Sequence, residues 1–510
     1  MPGDYHRYVC AYNLVLTMKN NNVSHPIKEA SLLDAIIPLV LLIIMMGSAV
    51  YLFSDNSSYG PNQIALLLAM GIAAIIGLKN GHKWVDIEKG IVKGISMSLG
   101  ACLILFAVGS LIGTWMLSGT VPTLIYYGLA LLNPQFFYAA SCLICAVVAM
   151  SIGSSWTTAA TVGVALIGVA TGMDMSLAIT AGAVVSGAYF GDKISPLSET
   201  TNLAPAIAGT DLFEHIRYML WTTIPSFIIA LILFVILGFT ADTSATGARI
   251  EQMQTVLADS FELGVHLLVP LALLLTLAIK KMPAFVAVSF GALVGGLWAV
   301  LFQSDLVTAL NTSDYSGAVG QLIVVWTALF DGVVFATSDE NLNSLLSRGG
   351  MSSMLNTVWL IICAMSFGAV LEHVGLLKRI VATLLKGADT IGALVSRTIL
   401  TCFGTNLITA DQYISIVMPG RMYQTAFTDK GYHQLNLSRS LEDGGTLTSP
   451  LIPWNTCGAY MHSVLLVHPF SYAMFTFFNL INPILAIIYA YVGIKILKLD
   501  PPKVTIQQSV

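Results

Sequence analysis

Eight apolar runs dominate this chain, near residues 33–53, 62–79, 95–118, 215–240, 264–280, 283–302, 354–377 and 470–494. A helix needs about 20 apolar residues to cross the hydrocarbon layer of a bilayer, so each run reads as a membrane-spanning helix. Of the 510 residues, 56 % are hydrophobic and 10 % charged, where a soluble domain carries roughly 25 % charged residues. A soluble fold could not hide that much apolar surface. The first thirty residues are polar and lack an apolar segment followed by a small-residue cleavage site, so the run at 33–53 is expected to remain as a membrane helix.

Charge and cysteine usage remove several classes. The 23 Lys and Arg against 27 Asp and Glu give a net charge of −4, with no basic tract or zinc-finger spacing, so the expected surroundings are membrane lipids and not nucleic acid. Most of the seven cysteines fall inside apolar stretches, which argues against a disulfide framework. Cys142 and Cys145 form a C-x-x-C without a second ligand pair and read as packing on one helix face, not as a zinc site. The chain has no H-E-x-x-H and no G-x-S-x-G, so an intramembrane enzyme is not expected, nor is a cofactor.

Lys and Arg in short loops favour the cytoplasm. Lys79, Lys83, Lys89 and Lys93 crowd one loop, Lys280 and Lys281 another, Lys378, Arg379 and Lys386 a third, and Lys495, Lys498 and Lys503 the C-terminus. The 54–61 turn has no Lys or Arg, and 239–263 and 303–353 carry one Arg each, Arg249 and Arg348. Both termini are therefore expected on the cytoplasmic side of the inner membrane.

The halves also correspond. Ser195-Pro196-Leu197 recurs as Ser449-Pro450-Leu451, an offset of 254 (449−195), and Ser110/Gly119 matches Ser366/Gly375 at 256. Gly, Ser and Pro recur by chance in apolar chains, but here the charges give the matched runs 95–118 and 354–377 opposite directions. Related halves of opposite sidedness make an inverted repeat, a common transporter construction. The expected organisation is a cytoplasmic segment (1–32), a first repeat (33–240), an outer linker (241–263), a second repeat (264–495) and a cytoplasmic tail (496–510). Each repeat holds about five transmembrane helices with a re-entrant hairpin and a discontinuous helix.

Polar breaks mark the hairpins. In the first half, apolar arms flank a tip at 153–158 (Gly153 to Thr158), and a second break runs over 191–202 with Pro196, which cannot continue a helical ladder. In the second half the tip is expected at 403–407 and the break at 442–456. Irregular backbone at membrane depth survives only when buried in protein or lining a watered cavity. Sodium, a hard cation, prefers oxygen ligands; Ser154, Ser155, Thr157, Thr158, Thr200, Thr201, Asn202, Thr405, Asn406, Asn455 and Thr456 form the expected pool.

Proton coupling needs a carboxylate, which costs about 3 kcal/mol at a helix centre. Burial raises a carboxyl pKa and a bound cation lowers it, so one group could take either a proton or sodium. The leading candidates are Asp192, Glu199 and Asp411, followed by Glu442 and Asp443. Asp192 could instead pair with Lys193, and Glu442 and Asp443 with Arg439. Asp411 has no cation near it in sequence. Glu372 and His373 fit snorkelling as well as a proton relay, while Asp331, Asp339 and Glu340 read as loop residues.

GAYFGDKISPLSETTNLAPA (188–206), GSSWTTAATVG (153–163) and LLSRGGMSSML (345–355) closely resemble the NhaC family of sodium/proton antiporters, within the ion-transporter superfamily. The resemblance covers about 33 to 495. It implies an all-α polytopic membrane protein, an elevator-type homodimer, exchange of cytoplasmic Na+ for external H+, and a site on Asp192, Ser195, Glu199, Thr200, Thr201 and Asn202. It leaves the substrate open, because relatives exchange malate for lactate or carry amino acids.

Overall fold

A computed structural model describes residues 27–53, 56–57, 59–241, 246–335, 343, 346–385 and 389–499. Residues 1–26, Asp339, Glu340, Lys386 and Lys503 lie outside the described residues. Among the described residues, nine helices are long and apolar enough to cross a membrane, and up to eleven spans result if two bent pairs each count as one. The expected runs appear as Leu32–Phe53, Pro61–Lys79, Trp84–Leu117, Leu212–Thr240, Ala284–Phe302 and Met351–His373. Those expected at 264–280 and 470–494 belong to the bent pairs, Gly247–Ser260 with Val265–Ile279 (87°) and Pro469–Phe475 with Phe477–Val492 (56°). Pro134–Ile152, Ser155–Gly172 and Ile391–Thr409 add three more. Ile36, Ile43, Leu68, Leu293, Leu297 and Leu301 lie exposed, an apolar exterior suited to lipid. The chain is an all-helical polytopic membrane protein.

The elements recur along the chain. Left-handed Gly153 ends one hairpin arm and Ser154 caps the next; left-handed Ala410 and the cap Asp411 do the same at an offset of 257 (411−154). The short helix Glu199–Ala208 is capped by Ser198 and closed by left-handed Gly209, and its counterpart Thr456–Leu465 by Asn455 and Leu466, again at 257 (455−198). The Ser-Pro-Leu pair falls at 254 because Ile452, Pro453 and Trp454 intervene before the second cap.

The polar segments break the helices less than expected. The second hairpin turn lies at Ala410 and Asp411, and the expected tip at 403–407 sits inside the continuous helix Ile391–Thr409. The Thr405 hydroxyl donates to the Thr401 carbonyl (2.8 Å), so the polar run is satisfied within its own helix. The first broken helix, Leu177–Ile194, likewise runs through Gly191 and Asp192, leaving 195–198 as the break. Glu442–Thr446 forms a π-helical turn, and the chain breaks only after Thr448. A second π turn spans Ala159–Gly163. Such turns recur at functional sites.

The helices Phe137–Ile152 and Leu177–Ile194 pack at backbone distance. A Cβ at Gly187 would stand 2.0 Å from the Cys142 carbonyl oxygen, and one at Gly191 2.3 Å from that of Ala146. Cys142 and Cys145 are fully buried in this seam, as the packing reading requires. Overpacking of this kind costs about 1–3 kcal/mol or more. Gly187→Val is therefore expected to lower the thermal midpoint in detergent, read by fluorescence-detected size exclusion, by several degrees. Gly47→Val, with nothing within 4 Å of its Cβ, should leave the midpoint near wild type.

Candidate ion-binding site

The first hairpin turn grips the first broken helix. The Ser155 N–H and hydroxyl both donate to Asp192 Oδ2, at 3.2 and 2.7 Å, and Asp192 is 6 % exposed. Across the break, Thr201 Oγ1 donates to the carbonyls of Asp192 (3.1 Å) and Lys193 (3.0 Å). Ser195 is buried, and the Ser198 and Thr200 hydroxyls lie 3.1 Å apart.

The second hairpin repeats this on the second break. The Thr456 N–H donates to the Ala410 carbonyl (2.9 Å), and Asn406 Nδ2 donates to the Gly445 carbonyl (2.6 Å) and Thr448 Oγ1 (3.0 Å). Asn455 Nδ2 donates to Asn406 Oδ1 (3.1 Å). Asp411 is buried and accepts the Ile414 N–H (2.8 Å). Sequence placed Asp411 on a hairpin arm; it caps the arm at the turn itself.

The two half-sites then cross. Trp156, just past the first turn, stacks on Tyr460 with ring centroids 4.1 Å apart, and the Tyr460 hydroxyl donates to the Trp156 carbonyl (2.9 Å). Tyr413, 257 residues after Trp156 (413−156), donates its hydroxyl to Glu199. Each hairpin thus holds the short helix of the other half.

Lys193 does not pair with Asp192. Its Nζ donates to Asp443 Oδ1 at 2.7 Å, with both side chains 0 % exposed, and Asn482 Nδ2 donates to the same oxygen (2.6 Å). Neither does Arg439 take Asp443: its guanidinium lies over the Tyr218 ring, 4.5 Å from the centroid. Asp192 is consequently a buried carboxylate with no ion pair among the described residues. Glu442 is fully buried, and neither of its oxygens has a hydrogen-bond partner among the described residues.

Other expected ligands are spent locally or face outward. Ser154 caps Thr157, whose hydroxyl also donates to it, and Thr158 donates to the Ser154 carbonyl. Asn202 is exposed and bonds the Pro196 and Ser198 carbonyls; Glu199 is also exposed. Glu372 and His373 are exposed and line, with Lys93, Lys378 and Asp411, a cavity of about 860 Å³. Asp331 is exposed and accepts from Ser352. Sequence reasoning passed over Trp156, Tyr413 and Asn482. The 257-residue offset pairs the first two, and Asn482 stands out as a polar residue in an apolar helix.

Two hairpin turns and two helix breaks meeting in one buried polar clasp give the protein the build of a secondary transporter. Comparison with known proteins agrees. Residues 187–494 match the model of the Na+/H+ antiporter family. The Na+/H+ antiporter NhaC of Alkalihalophilus pseudofirmus is 38 % identical over 85 % of this chain and 90 % of its own length. The Na+/H+ antiporter NhaC of Bacillus subtilis is 38 % identical over 84 % and 92 %. The malate-2H+/Na+-lactate antiporter of the same organism is 37 % identical over 85 % and 90 %. The chain belongs to the Na+/H+ antiporter family.

Removing one partner of a buried ion pair strands the other and costs about 3–5 kcal/mol, whereas an apolar replacement of both is often neutral. Lys193→Ala is expected to lower the yield of folded protein and its thermal midpoint sharply. The double variant Lys193→Met with Asp443→Leu should recover most of that loss in the same melting assay.

Proposed function

We propose that this protein exchanges cytoplasmic Na+ for external H+ across the cell membrane, with Asp192 as the group that binds them in turn. The observation that carries this reading is Asp192 itself: it is buried in the last turn of the helix before the 195–198 break, receives the first hairpin's N–H and hydroxyl, and has no ion pair among the described residues, Lys193 being committed to Asp443. An ionised carboxylate in that position needs a cation, and a proton serves when sodium leaves. The carbonyls and hydroxyls of the break supply the oxygens a hard ion prefers. Family membership and the two NhaC relatives support sodium and protons as the exchanged ions.

Asp411 is proposed as the second coupling carboxylate, at the equivalent turn and open to the 860 Å³ cavity. Lys93 and Lys378 line the same cavity, which by the charge rule faces the cytoplasm. Proton flux is the direct test. In proteoliposomes holding a pH-sensitive dye, sodium should drive proton movement, and Asp192→Asn should cut it by about 10- to 100-fold, the worth of a lost charged contact of about 1.5–3 kcal/mol. Undiminished sodium-driven flux in Asp192→Asn would move the role to Asp411. Flux that needs malate or lactate in place of sodium alone would point to the chemistry named for the Bacillus relative.

A further inference from the structure

A second cavity, of about 730 Å³, is bordered by Asn56 and Tyr59, away from the Lys93 and Lys378 cavity. Its described walls contain Arg348, His462 and His468 and no Asp or Glu. That is an unfavourable lining for a cation. The Nε, Nη1 and Nη2 atoms of Arg348 are buried, and none has a hydrogen-bond partner among the described residues. Burial pushes this guanidinium down to about 10, so it still carries its charge at neutral pH. Buried charges are normally paired, as Lys193 is with Asp443.

The backbone beside Arg348 is fixed. The Gly350 N–H donates to the Gly109 carbonyl (2.7 Å), and a Cβ on left-handed Gly349 would stand 2.3 Å from the Gly113 nitrogen. The segment therefore sits flat against Trp84–Leu117. Immediately after it begins Met351–His373, a 23-residue span whose first turn has no side-chain cap. Its free N–H groups add positive partial charge, the usual setting for an anion. Ser352 and Ser353 line the same space, their hydroxyls already donating to Asp331 (2.9 Å) and to the Gly350 carbonyl (2.7 Å), which leaves Arg348 as the group without a partner there among the described residues.

We infer that this cavity binds a small organic carboxylate, held by Arg348 at the start of Met351–His373. The guanidinium fork matches a carboxylate bidentately, and the volume falls within the about 300–1,000 Å³ of small-molecule sites. A lone halide would leave most of it empty. Ala459, His462 and Ser463 of the helix Thr456–Leu465 also line the cavity. That helix starts at the N–H that holds the second hairpin turn, so a bound carboxylate touches the clasp without contacting Asp192.

The test is calorimetric titration of the full-length protein in lipid nanodiscs, sodium-free and at constant ionic strength, with acetate, succinate and chloride. Saturable binding of acetate or succinate is expected, weaker by about 10- to 100-fold in Arg348→Gln and partly retained in Arg348→Lys. No saturable carboxylate binding by the wild type would overturn the site, as would equal binding by Arg348→Gln. Chloride displacing the carboxylate at equal concentration would overturn the ligand class. The wild-type titrations decide the matter even if Arg348→Gln does not fold. They involve no proton flux, so their outcome is independent of the exchange reading.

Discussion

The buried ion pair between Lys193 and Asp443 is the contact on which the rest of the clasp depends. Both side chains are sealed from solvent, and an isolated charge there would be strongly unfavourable. The pair ties the first broken helix, Leu177–Ile194, to the π turn Glu442–Thr446 of the second half. It also decides the character of its neighbour. With Lys193 committed across the molecule, Asp192 is left to the hairpin turn, and under the exchange reading a cation completes its partners.

Around that pair the irregular backbone is accounted for. The first hairpin turn donates to Asp192 beside the first break and the second turn accepts the Thr456 N–H from the second break, while an aromatic residue just past each turn reaches the short helix of the other half. The hydrophobic cores cross in the same way: Cys457, Tyr460 and Val464 pack with the first hairpin's helices, and Ala204 and Ala208 with the second's. Polar groups in an apolar setting need such partners because water is not there to provide them. The halves are therefore coupled by the aromatic contacts just past each turn and by the Lys193–Asp443 pair. Under the exchange reading, a change at one turn is felt at the other without a long relay.

The two cavities differ in charge as well as position. One mixes Lys93, Lys378 and Arg421 with Glu372 and Asp411, while the other holds a buried guanidinium and no described acid.

Much of this was legible beforehand. Apolar runs of helix length marked six of the spans, and the recurrence of Ser-Pro-Leu and of Ser110/Gly119 as Ser366/Gly375 pointed to matched halves. Asp192 stood out in the sequence as a carboxylate in the polar break 191–202, and the structure places it in a buried position held by Ser155. The second turn was misplaced onto 403–407 because polarity in sequence does not reveal whether a hydroxyl bonds its own helix; Thr405 does. Pairing was equally hidden. Sequence offered Lys193 to its neighbour Asp192, yet consecutive residues on a helix point apart, and the ammonium lies against Asp443, 250 residues away. Sequence by itself determined the helices, because crossing a bilayer depends on local length and polarity. Only the tertiary structure decided which charges are paired and which are buried without an ionic partner, because burial and partnership are set by distant segments.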